Sequence, residues 1–181
     1  MADFNPFNDR LARRIRNSLS KAFISSLSQM NPTPVEACAE QWLLAEKPAS
    51  AGRAYVRDRL QRYRQVIDRI QRMGLEYILD QMVCIWNQGL FFEVHEHLEG
   101  IWQVSAGAKK QALQGMIKAA GVYVHLEYHH RLAANRLAAG AVDLLERHRD
   151  HLSFIANIDE FIDDLKTGNP EPTVLLLIEK K

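Results

Sequence analysis

Cysteine is scarce in this chain, with two in 181 residues. Cys38 and Cys84 stand far apart among apolar residues at helical spacing, so they read as small buried hydrophobes, and neither a disulfide framework nor a metal knuckle follows from them. Long apolar runs are missing as well. No stretch approaches the roughly 18 residues that a membrane helix needs, and a membrane-spanning role is not expected. The opening MADFNPFNDR has neither the basic start nor the apolar stretch of a secretory signal, which makes a cytoplasmic location the expectation. Strand-like alternation is lacking until the last residues. With 47% hydrophobic and 25% charged residues, the chain has the composition of one folded domain, or one domain with an extension, and not of a disordered segment.

A net charge of +1 conceals a polarity. Residues 1–73 hold 13 Lys and Arg against 7 Asp and Glu, whereas residues 74–181 hold 10 against 15. All seven histidines fall in the second part, beginning with His95. The basic residues are interleaved with acids along the sequence, which argues for one half docking on the other and against a nucleic-acid surface.

Helical periodicity runs through almost the whole chain. Leu11, Ile15, Leu19 and Phe23 recur at four-residue steps and predict a helix over 9–27. Thr33 is an expected N-cap, with Pro34 first in the helix and Glu36 completing a capping box. KPASAG at 47–52 is the expected linker between an N-terminal helical extension, 1–52, and a bundle core, 53–170. In that core, Val56, Leu60, Tyr63, Ile67 and Ile70 make one apolar stripe of a solvated, Arg-rich helix. A second series from Leu75 to Trp86 ends at NQG, where Gly89 suits a left-handed stop. The chain then returns, giving an αα-hairpin of 76–88 against 90–104. Further helices are expected over 109–130, 137–151 and 155–165. The apolar end, TVLLLIEKK, has no second strand to join and is expected to pack as a tail, 171–181, or against another copy in a homodimer.

FFEVHEHLEGIW, residues 91–102, places two histidines and three carboxylates on one helix. At about 100 degrees per residue, His95, Glu99, Phe92, Gln103 and Trp102 fall in one stripe with Glu96 at its edge, while Glu93 and His97 point away. On the 109–130 helix, Gln114, Lys118 and His125 lie within about 40 degrees of one another, and Gly121 leaves room beside them. If the two helices pack antiparallel, the two polar rows face each other across a pocket floored by Gln114, Lys118, Trp102 and Phe92.

His95-Glu96-x-x-Glu99 differs from the H-E-x-x-H zinc helix only in carrying Glu for the second His. In a metal reading, His95 and Glu99 bind a divalent cation, His125 or His129 adds a third ligand, and Glu96 is the general base of a hydrolysis. In a structural reading, His95, Glu99, Gln114, Lys118 and His125 form a hydrogen-bonded seam between helices, with the Trp102 indole N–H on a carboxylate. Which small molecule would enter is not set by either reading.

The same segments carry a resemblance. F-x-E-x-H-E-x-x-E-x-x-W, met here by Phe91, Glu93, His95, Glu96, Glu99 and Trp102, and L-Q-G-[LIM]-I with a downstream His, met by Leu113, Gln114, Gly115, Ile117 and His125, resemble the signature of the domain of unknown function 309 family. The resemblance covers roughly residues 75–150. It implies a compact all-α bundle and a metal-dependent hydrolase. Two departures stand out. Lys118 replaces the usual Gln and brings a cation that could pair with Glu96 or Glu99, and the Gly-Asn turn of the family is reduced to Ala134-Asn135.

Overall fold

Asp9 opens the first helix by accepting a 2.7 Å hydrogen bond from the Leu11 amide, which satisfies one of the donors that a helix N-terminus leaves unpaired. The computed structural model describes residues 4–46 and 48–178. Among them are eight α-helices and one short 3-10 turn, so the fold is all-α as the periodicity predicts. No helix among the described residues is long and apolar enough to cross a membrane. The chain divides at Gly74–Leu75 into two compact units.

The first unit holds α1 (Arg10–Gln29), α2 (Thr33–Leu44) and α3 (Ser50–Met73). Ile15, Leu19, Phe23 and Leu27 of α1 are buried together with Val56, Tyr63, Ile67 and Ile70 of α3. Phe23 stacks on Tyr63 with ring centroids 4.3 Å apart. Thr33 does not cap α2. The helix already includes it, and the Asn31 side-chain oxygen Oδ1 accepts from both its amide, at 3.0 Å, and its hydroxyl, at 2.8 Å. Asn31, two residues earlier, therefore satisfies the first amide of α2 ahead of the Pro32 cap position, and Glu36, freed from a capping box, pairs with Arg64 on α3 at 2.7 Å. The expected break at 47–52 lies between α2 and α3, inside this unit, and Ser50 to Gly52 are already helical. Gly52 is required there, because a β-carbon would stand 2.5 Å from that of Pro48.

In the second unit, α4 (Ile78–Asn87) turns at Gly89, which has a φ of 66°, into α5 (Phe91–Val104). That is the expected αα-hairpin. α6 (Gly107–Glu127) packs on α5 and on α7 (Arg131–His148); the 3-10 turn Arg149–Leu152 and α8 (Ile158–Thr167) follow. α7 begins six residues earlier than expected and runs straight through Ala134-Asn135. The turn falls instead at 128–130, where His129 takes a φ of 61°, a conformation uncommon outside glycine. Buried Ala134 explains the difference: it serves as a packing residue of the helix and not as a turn.

Trp86 centres this unit, edge-on to Phe91, Tyr123 and Phe161 at 4.9, 5.4 and 5.1 Å. The C-terminal segment packs within the same unit. Its backbone meets α4, where Trp86 Nε1 donates to the Thr173 carbonyl at 2.8 Å and the Asn87 amide bonds both the N–H and the C=O of Leu175. On its other side an antiparallel bridge joins Leu177 to Ile155. The stretch 154–157 thus supplies the short partner that the sequence does not announce. Residues 179–181 of the expected tail lie outside the described residues.

Glycine sets the α6–α7 crossing. A β-carbon on Gly115 would come within 2.9 Å of Leu145 Cγ and Cδ2. Gly115→Ala is expected to lower stability by about 1 kcal/mol net, since overpacking of about 1–3 kcal/mol outweighs the roughly 1 kcal/mol gain in helix propensity. Gly121→Ala meets only the Cδ1 end of Leu137, at 3.1 Å, and should be neutral or stabilising. Paired thermal melts check this, and an equal response of the two variants would contradict it.

Candidate metal centre

α5 is buried along two sectors rather than one. Phe91, Val94 and Leu98 fill the first, and Glu93 is fully buried on the opposite side. Between them His95 and Glu96 stay part-exposed, with 38% and 39% of their side-chain surface accessible, and Glu99 is half-buried. Positions i, i+1 and i+4 of one helix bring donor atoms of His95, Glu96 and Glu99 within 4.8 Å of one another. Among the described residues this is the one group of three or more His, Cys, Asp or Glu side chains so arranged. His95 Nδ1 is enclosed without a hydrogen bond, and Glu96 Oε1 stands 3.6 Å from it.

Donor atoms sharing a cation at about 2.1 Å stand at most about 4.2 Å apart. The group therefore needs to close by well under 1 Å, and partly exposed side chains can do this by small rotations. An imidazole and two carboxylates form a mixed nitrogen and oxygen donor set suited to zinc or a harder divalent ion.

The remaining expected site residues do not join this group. Lys118 turns to α7, its ammonium 2.8 Å from the point where a β-carbon on Gly140 would stand. Gly121 likewise faces Leu137 of α7. The row expected to oppose α5 is thus drawn toward α7, because the two glycines of that crossing provide the room. Among the described residues no hydrogen bond or ion pair links His95 or Glu99 to Gln114 or Lys118. His125, expected as a third ligand, lies beside His130 with ring centroids 5.7 Å apart; burial and then the neighbouring His130 lower its pKa. The alternative ligand His129 sits exposed in the α6–α7 turn. Phe92 and Trp102 are half-buried. Lys110 lies 4.4 Å over the Trp102 ring, and the indole N–H, expected on a carboxylate, has no hydrogen-bond acceptor.

Sequence reasoning missed Glu93 and His97. Both point away from the His95 stripe as expected, but the far side of α5 is occupied and not open to water: burial pushes the His97 imidazole down to about 4, with a hydrogen bond to the Ile78 backbone working against the shift. A single-stripe reading of a helix with neighbours on two sides could not find them. The presence of Glu93 in the family pattern was the available signal.

Residues 79–137 match the family model described as domain of unknown function (DUF309). The match spans 59 of the 181 residues. It runs from α4 through the start of α7, so the His95, Glu96 and Glu99 group and the α6 row both lie inside the matched segment, while α1, α2 and α3 lie outside it. No curated protein and no solved structure matches the chain.

Proposed function

We propose that His95, Glu96 and Glu99 form a divalent-metal centre and that the protein is a metal-dependent hydrolase. The observation that carries this reading is the convergence of three donor side chains from one helix, part-exposed and with no competing cation paired to them. Lys118, the residue most able to compete, has its ammonium beside Gly140 on α7 and no ion pair to any of the three. The rival interhelical seam lacks support in its defining bonds, those from His95 and Glu99 to Gln114 and Lys118.

His95 and Glu99 hold the cation in this reading, and Glu96, the most exposed of the three, accepts the proton of the attacking water. A bound divalent ion lowers the pKa of coordinated water toward neutrality and polarises the substrate's carbonyl or phosphoryl oxygen. With His95 and Glu99 as its protein ligands, a divalent ion would leave room for water and substrate beside Glu96.

Elemental analysis of untagged protein, dialysed after loading with zinc or manganese, is expected to give one metal per chain. His95→Ala and Glu99→Ala should each weaken retention by more than about tenfold with helicity unchanged by circular dichroism. Glu96→Gln should keep the metal and lose hydrolysis of a nitrophenyl ester or phosphoester. Retention unaffected by either alanine variant, or no retention by the wild type, would refute the site.

A further inference from the structure

α1 carries five cations, Arg10, Arg13, Arg14, Arg16 and Lys21, and no Asp or Glu over its twenty residues. The other Arg-rich helices, α3 and α7, interleave acids with their cations, although Arg57 and Arg69 of α3 have no ion pair among the described residues. On α3, Arg62 pairs with Asp58 and Arg72 with Asp68 at four-residue spacing, and Arg64 reaches Glu36. On α7, Arg147 pairs with Asp143. Within α1, Arg13 is spent on the carbonyls of Pro6 and Phe7, and Arg16 on Asn17. Arg10, Arg14 and Lys21 have no such partner: no described carboxylate lies within ion-pair distance of any of them.

These three cations share one line. At about 100 degrees per residue, Arg10, Arg14, Asn17 and Lys21 fall within about 60 degrees of one another, and the first and last are ~16 Å apart along the axis. All four are exposed, and the buried Ile15, Leu19 and Phe23 lie on the opposite face. Like charges four residues apart repel on a helix, and α1 holds Arg10 and Arg14 in that relation without an acid to relieve them.

We propose that this face of α1 is a nucleic-acid contact surface, with Arg10, Arg14 and Lys21 each meeting a phosphate of the sugar-phosphate backbone. The geometry favours that partner over the two other polyanions. An interfacial membrane helix lowers an apolar, aromatic-bearing face into the lipid, whereas the apolar face of α1 is already buried and Arg10, Arg14, Asn17 and Lys21 include no aromatic. A protein interface has an apolar centre with charge at its rim, and this stripe has no apolar centre. A row of cations with a polar residue among them, and no apolar anchor, suits phosphates, which position a protein without reading sequence. The surface lies outside the segment that matches the family model and does not depend on the metal reading.

Fluorescence anisotropy of the full chain with short DNA and RNA duplexes tests it. Three phosphate contacts give a slope of about −2.7 in log K against log salt on DNA, a loss of ~40-fold between about 50 and about 200 mM. R10Q/R14Q/K21Q should abolish measurable binding while circular dichroism stays unchanged, whereas R57Q/R69Q should retain it; which duplex binds better identifies the source of the phosphates. No duplex binding at the lower salt, an equal loss in both variants, or binding only to phosphatidylserine vesicles would overturn the proposal.

Discussion

Trp86→Ala is expected to cost the second unit about 3–5 kcal/mol, the range for emptying a fully packed indole site, and to release the C-terminal segment with it. The ring meets three aromatic side chains edge-on, so truncation removes apolar area and quadrupole contacts together. It also takes away the donor to the Thr173 carbonyl. The segment from 173 to 178 then depends on Asn87, the next residue along, on Asp164, which accepts from the Thr173 hydroxyl, and on the short pairing with 154–157. Urea titration should show the loss, and hydrogen exchange at the Leu175 and Leu176 amides should accelerate beyond the rest of the unit. Trp86→Phe, which keeps most of the packing and loses only the N–H, should fall between. If the Leu175 amide stays as protected in Trp86→Ala as in the wild type, the tail is held by other means.

Acidification should weaken the protein through His97. The folded state holds this imidazole neutral, with a pKa near 4 against an ordinary value of 6.5, because burial disfavours the charged form. Between those values the unfolded chain binds a proton that the folded chain refuses, so stability falls as the pH drops from 6.5 toward 4. At 1.36 kcal/mol per unit, the full interval amounts to about 3 kcal/mol. His97→Gln has no proton to gain and should show a flatter profile across that window. Denaturation midpoints at pH 7 and at the acid end, compared between the two proteins, check the effect; parallel profiles would assign the acid sensitivity to other groups.

The all-α architecture and most helix boundaries were legible because the apolar stripes of α1, α3, α4 and α6 keep helical spacing over several turns. The His95, Glu96 and Glu99 group was legible for the same reason, its members being fixed by the pitch of one helix. Contacts between helices were not. That Lys118 turns to Gly140 and away from Glu99 depends on which neighbour takes the glycine face of α6, and periodicity assigns faces without assigning neighbours. His125 is displaced from the site by the same choice. The cap at Asn31 was obscured by the stronger local pattern Thr-Pro-x-Glu. The basic face of α1 was hidden by averaging: counted over residues 1–73, acids and bases intermix, although every acid in that range lies outside α1.

Because His95, Glu96 and Glu99 all project from little more than one turn of α5, their relative placement is inherited from backbone hydrogen bonding alone. Sliding or tilting α5 as a whole would carry the trio along undisturbed, so substitutions that loosen distant packing should lower the melting temperature without changing the spacing of these side chains. A proline introduced at Leu98, by contrast, would bend the helix inside the group and scatter its members even in a protein that still folds.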